Sequence, residues 1–488
     1  MDDSSPPSPS TGRRAIWQRP LSRRTVLAAG AATAAAASVA ALWKGNDFSG
    51  ILTQVHDLTH QYDGVLTSQR VRTAHLLRRA GFGASATELD HYAAMGTRAA
   101  TDSLLAFGKV PNTSLESALP GLDAAMATPA GPSAALIQAW WLQRMAESAR
   151  PLEEKMTLFW HGLLTSGLDK AGTAQMHAQN QLFRTNALGN FDDILKAVSK
   201  DPAMMVYLDT ETNRKGKPNE NYARELMELF TTGIGHYTER DVRESARAFT
   251  GWTLQGGGKQ LRYATGSLFV PRLHDAGPKT FMGKTGNFTG DDIVEMIVPL
   301  RATAERLSTH LFSFFAYPNP EAAIVHHLAD VFQQSRYNVG AVVKEIFLLD
   351  AFYTGKAYRA LIKSPAELAA GILKTVSVDH KGYLAAANAM GSMGQVLFYP
   401  PNVAGWPAGT SWINSSTLLN RINFANAATL RAHAQMKPQS LDQLLNSLLD
   451  SNVAPGTREQ LQAFATAHPD DPAGLLFMVL STPEFQLS

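Results

Sequence analysis

The feature that most restricts how this 488-residue chain can fold is the spacing of its apolar residues. Arg70–Arg79, Ser133–Ser148, Leu152–Leu163, Asn219–Thr231, Glu239–Trp252, Glu321–Ser335, Val339–Leu349, Pro365–Val378 and Ser415–Arg431 all place them three and four residues apart. That is the repeat of a helix with one buried face. Strand-like alternation is confined to Gln260–Val270, which follows the Gly256-Gly257-Gly258 turn, with Lys279–Met282 as its expected partner. The pattern predicts a mainly α fold, one large multi-helix domain over 69–488 with a small β-hairpin insertion near 260–283. Gly- and Pro-rich breaks fall at Val110–Pro132, Gly251–Gly290 and Phe398–Ser411, and irregular stretches as long as the second often carry function.

Ahead of this region, Ser22-Arg23-Arg24-Thr25-Val26-Leu27 opens an Ala-rich run to Leu42, with small residues around Ala40 and Ala41. This predicts a cleaved twin-arginine signal over 1–41, a polar spacer over 42–68, and a periplasmic or secreted protein that meets the twin-arginine translocase during export. The run is barely long enough to span a bilayer and is mostly Ala and Gly, which favours a removable signal over a stable transmembrane helix. Five arginines against two aspartates before residue 41 leave 39 basic and 40 acidic residues after it. A near-neutral chain gives no global electrostatic reason to bind nucleic acid. Cysteine is absent, which excludes disulfides, iron–sulfur clusters and a cysteine nucleophile together. A metal would need His, Asp, Glu or neutral oxygen donors.

The densest polar pattern is Asn219–Phe230. On a helix, Asn221, Arg224, Glu225 and Glu228 share one face, and Tyr222, Leu226, Leu229 and Phe230 the other. Two carboxylates and an amide at this spacing suit a hard cation or an acid–base pair, and equally a solvated, ion-paired face. In the next helix Thr238 and Asp241 form a capping-box pattern, and Arg240, Arg243 and Arg247 make a stripe able to pair with Glu225 and Glu228. His161 lies seven residues after Glu154, on the same face, as a metal or proton-transfer pair or a hydrogen-bonded core histidine. His274, Asp275 and Lys279 sit together in the long irregular stretch. There, Gly277 and Gly283-Lys284-Thr285 are five residues apart where a phosphate loop has four, so no nucleotide is expected. Trp252, Trp406 and Trp412 sit beside turns, suited to stacking on sugars or peptides, or to plugging loops onto the core.

These segments resemble an exported bacterial family, domain of unknown function 1800. The resemblance runs from about Val71 to Ser481-Thr482-Pro483-Glu484-Phe485. It rests on His75-Leu76-Leu77-Arg78-Arg79-Ala80-Gly81-Phe82-Gly83, Glu154–His161, Asn219–Trp252, His274-Asp275 with Lys279-Thr280, and Asn402-Val403-Ala404-Gly405-Trp406-Pro407. Gly162-Leu163-Leu164 departs from it where members often carry a second histidine or an aromatic, which weakens a paired-histidine metal centre. The resemblance implies a pattern without a settled activity.

Three functional readings follow. The first is a carboxylate- and His-dependent hydrolase, metal-assisted or not, acting on an extracytoplasmic polymer. Its catalytic groups would be Glu225, Glu228, His161, His274 and Asp275, and its substrate contacts Asn221, Arg224, Lys279, Trp252, Trp406 and Trp412. The second is a binding or assembly protein that holds a polysaccharide or an exported protein on its tryptophan loops. The third is a redox metalloenzyme.

Overall fold

The computed structural model describes residues 65–119, 122, 125, 131–255, 264–432 and 438–488, together with Val39 and Leu42. The expected signal, apart from Val39, and most of the spacer lie outside these residues. Helices dominate, as the apolar period requires, and two small antiparallel hairpins are the only sheets among the described residues.

Local chemistry sets the helix starts. Ser133 Oγ accepts the Leu136 N–H at the head of Ala134–Glu147, Pro151 opens Pro151–Leu163, and Ser364 and Glu367 close a capping box on Pro365–Val376. Thr238 and Asp241 form the expected box at the start of Glu239–Ala248. Pro365–Val376 packs against Ala134–Glu147 and Ser415–Ala432, and Ala134–Glu147 also packs against His380–Ser392. Pro151–Leu163 packs on Thr173–Thr185, and Arg301–Phe315 on Ala322–Gln334. A continuous apolar core runs through these layers, with Trp141 and Trp160 fully buried in it.

The β excursion pairs differently from expectation. Ser267–Phe269 turns back on Trp252–Leu254, and Lys279–Phe281 pairs with Lys284–Gly286 across the tight turn at Met282-Gly283. Among the described residues the two strand-like runs therefore do not pair with each other. A second departure lies in Asn219–Phe230, where an α-helical turn, Asn221–Glu225, passes into a π-helical turn, Leu226–Phe230. The wider turn is closed by side chains: Thr231 Oγ1 donates to the Leu226 carbonyl at 2.5 Å and Thr232 Oγ1 to that of Met227 at 3.1 Å. Inserted π turns recur at functional sites.

The last residues are part of the core. Ser481–Ser488 are all buried, Leu487 forms a β-bridge with Ile362, and the Lys363 ammonium lies 3.8 Å from the centre of the Phe485 ring. Phe485→Ala is expected to cost ~3–5 kcal/mol, the usual range for emptying a buried aromatic site. Urea unfolding measures it, and a loss below 1 kcal/mol would show that this segment does not support the core.

Candidate functional site

A cleft of about 430 Å³ opens where five elements converge: the C-terminal end of Pro151–Leu163, the π turn, Arg301–Phe315, the head of Pro365–Val376 and the loop Ala404–Trp412. Its walls are mainly aromatic and aliphatic and include Phe159, Phe314, Trp406 and Trp412. Arg306, His310, Ser313, Ser364, Glu367 and Gln395 supply the polar groups. An apolar concavity with a few convergent polar groups is the usual form of a ligand site.

The loop reaches the helix end because Gly405 lets it. Gly405 has φ +85° and lies so close to Gly162 that a Cβ there would overlap the Gly162 carbonyl oxygen. Gly162, the departure noted in the sequence, is thus where the tryptophan loop docks. Gly405→Ala is expected to lower stability by roughly 1–3 kcal/mol from backbone strain alone and to weaken ligand binding with it. Thermal unfolding checks the first effect, and an unshifted Tm would remove this account of the loop.

Neighbours or burial define the state of Arg306, His310, Gln395 and Glu367 in the cleft. Arg306 Nε donates to the Leu229 carbonyl at 3.2 Å, which ties the arginine to the π turn. Burial, and then the neighbouring Arg306 charge, press the His310 pKa down to about 4, so this imidazole is neutral at physiological pH. Gln395 Oε1 accepts the Ala366 N–H at 2.9 Å, and its NH2 has no partner among the described residues. Glu367 is engaged by Lys155 and by the Ser364 N–H, so it is a structural anion at the cleft floor.

The other sequence candidates are spread across the molecule. His161 is 1% exposed, ringed by Trp141, Phe183 and Phe398, and its Nε2 accepts from Asn180 Nδ2 at 3.1 Å. Burial, then Arg184, hold it well below its ordinary pKa. Glu154 does not reach it. That carboxylate accepts from Arg144 Nε, Arg184 Nε and Arg184 Nη2 at 2.8–2.9 Å, and Arg184 Nη2 in turn donates to Asn180 Oδ1 at 2.6 Å. The His161–Glu154 pair of the sequence reading is therefore two ends of a buried structural network.

His274 Nδ1 lies 2.9 Å from the Thr250 carbonyl, and Asp275 pairs with Arg247 at 2.7 Å. Lys279 is buried with its Nζ on the Asp275 and Gly277 carbonyls. These three residues brace the hairpin region. Asn221 Nδ2 donates to Asp209, and Arg224 pairs with Glu220 and Glu239. Trp252 stacks near Phe269 with the Lys200 ammonium 5.3 Å from its ring. None of these lines the cleft.

Glu225 and Glu228 sit at the junction of the α and π turns, both half-buried. No salt bridge joins either to Arg240, Arg243 or Arg247 among the described residues; Arg247 is taken by Glu244 and Asp275 instead. Tyr237 donates its hydroxyl to Glu228 at 3.1 Å. Burial, then the neighbouring Glu228 charge, raise the Glu225 pKa. Leu229, the next residue after Glu228, is on the cleft wall. Among the described residues no group of three or more His, Asp and Glu is placed to hold a metal ion. The metal-assisted and redox readings are left without a ligand set there.

Sequence reasoning missed Arg306, His310 and Gln395. Arg306 and His310 lie four apart on one helix face, a legible spacing, but Arg301–Phe315 was not among the segments picked out by period.

Fold and cleft together define a mainly helical protein with a tryptophan-walled cleft. The chain belongs to the family described as protein of unknown function (DUF1800), whose model matches residues 75–487. No curated protein and no solved structure matches it. Among the described residues no helix is long and apolar enough to cross a membrane.

Proposed function

We propose that this chain is exported by the twin-arginine route and binds an oligosaccharide segment of an extracytoplasmic polymer in the tryptophan-walled cleft. The convergence of Trp406 and Trp412 with Arg306, His310 and Gln395 on one cavity carries the reading. Aromatic faces stack on the apolar faces of sugar rings, and a few directional donors and acceptors fix the hydroxyl pattern. Arg306 supplies fixed donors, neutral His310 both a donor and an acceptor, and Gln395 a free NH2. Trp412 is 4% exposed and Trp406 half-buried, so Trp406 provides the contact face and Trp412 its backing. The twin-arginine segment supports the location.

Isothermal titration against a panel of neutral oligosaccharides tests this. Trp406→Ala is expected to weaken binding by roughly 5–150-fold, the range for losing one stacked aromatic at about 1–3 kcal/mol, with Tm nearly unchanged. Unchanged affinity in that variant would remove the tryptophan cleft as the site.

A hydrolase reading has one observation in its favour, the paired carboxylates Glu225 and Glu228. Burial and the neighbouring Glu228 charge raise the Glu225 pKa, the direction required of the acid in an acid–base pair. Glu225→Gln and Glu228→Gln are then expected to abolish polymer turnover, measured as reducing ends released, while titration shows oligosaccharide still bound. Purified native protein that binds and never cleaves would leave the binding reading alone.

A further inference from the structure

A second cavity, about 150 Å³, lies at the end of Gln69–Ala80 and is lined by Arg78, Gly81, Phe82 and Gly83 of a sequence motif that the cleft does not use. We propose that this cavity binds a tetrahedral oxyanion of phosphate chemistry, either the free ion or the phosphoryl end of a larger molecule. Two independent observations meet there.

The first is charge. Arg78, Lys363 and Lys374 line the cavity with one side-chain carboxylate, Glu367, which Lys155 already engages. Arg78 is held by Asp450 and Lys374 by Glu88, but buried Lys363 has only the Phe485 carbonyl, at 2.7 Å, and the Phe485 ring. Behind the wall, Arg79 and Arg421 are also buried. Their hydrogen bonds go to the Ala357 and Lys363 carbonyls and, from Arg421, to Gln486, never to a carboxylate, and Arg79 Nε and Nη1 and Arg421 Nε are unpartnered. Buried cations with no carboxylate in hydrogen-bonding contact are costly, and an anion in the cavity offsets that cost. Burial presses Arg79 down to about 9 and Arg421 to about 10, against the opposing pull of the Glu367 carboxylate.

The second is main-chain donors. The N–H groups of Gly81, Phe82, Gly83 and Ala84, all on the cavity wall, donate to no acceptor among the described residues. Gly83 has φ +96°, a left-handed turn that helps successive N–H groups curve around one anion. Ser488, also on the wall, is tied by its own N–H and carbonyl to Leu361.

Calorimetric titration with inorganic phosphate and with glucose 6-phosphate, at constant ionic strength against chloride, tests the site in the full chain. Phosphate is expected to bind and raise the Tm. Lys374→Gln, at the partly exposed rim, is expected to weaken binding at least fivefold without unfolding the protein, and Lys363→Met more severely. Equal affinity for both probes assigns the free ion, and tighter binding of the ester assigns a phosphoryl end; either supports the site. Neither probe binding to wild-type protein, or Lys374→Gln binding as wild type does, overturns it.

Discussion

Glu154→Gln is expected to destabilise the protein by ~3–5 kcal/mol, the largest loss of any single polar substitution considered. The carboxylate is fully buried and accepts three guanidinium N–H groups, from Arg144 and Arg184. Burial alone would raise its pKa, but Arg184 and then Arg144 outweigh it and hold the carboxyl below its ordinary range. Removing the charge strands two guanidiniums among Trp140 and the core. Arg144 keeps Glu116, whose side chain is 54% exposed and gives little. Arg184 keeps only neutral acceptors, Gln181 and Asn180, and through Asn180 the disturbance reaches His161. For a chain of this size the loss lowers Tm by roughly 3–6 °C. Glu116→Gln, which removes the exposed partner of the same arginine, is the control and is expected to stay within about 1 kcal/mol of wild type. Equal effects of the two variants would show that the buried network does not act as a unit.

The second large effect is a pH dependence centred on Asp201. This residue caps Pro202–Tyr207, accepting the Met204 N–H at 2.9 Å and Gln179 Nε2 at 2.8 Å, and it has no cationic partner among the described residues. Burial raises its pKa from 3.8 to about 7, against the opposing pull of those hydrogen bonds. The sign follows from proton counting. Between pH 4 and 7 the folded protein holds this proton and the unfolded chain has released it, so the folded state binds more protons and stability falls as pH rises. The contribution is fully present below the unfolded pKa and gone above pH 7, and it amounts to on the order of 4 kcal/mol. Glu154, Glu367 and Asp450, all held low by cations, act in the opposite sense and lose stability on acidification. The group is therefore isolated by difference. The stability of Asp201→Asn relative to wild type is expected to rise by a few kcal/mol between pH 4.5 and 8, measured by urea unfolding at each pH. A gap that stays constant across that range would refute the assignment.

The helical class and the hairpin region were legible because amphipathic helices with one wet face leave a period in the sequence. Elements without a wet face were not. Pro472–Leu480 is buried on every side, so its apolar run carries no period. Thr173–Thr185 reads as polar, yet Gln175, Gln179, Asn180 and Arg184 point inward to partners in the core, so its buried face is invisible to an apolar count. The site divides the same way. Trp406 and Trp412 stood out as aromatic residues beside turns, a local signal, and the structure brings both to one cleft. His161, His274 and Asp275 stood out by residue type, but their partners Asn180, Thr250 and Arg247 lie 19 to 28 residues away and no spacing announces them. The π turn was also hidden, because the residues that close it, Thr231 and Thr232, follow the helical pattern rather than interrupt it.

Hydrogen–deuterium exchange with and without a binding oligosaccharide tests the central claim most directly, because it locates the ligand without assuming any residue. The account predicts slowed exchange in peptides covering the cleft, 395–413 and 306–314, with Leu229 at the edge of the protected region. Protection confined to 274–286, or to the outer face of Asn221–Glu225 with the tryptophan loop unchanged, would contradict it.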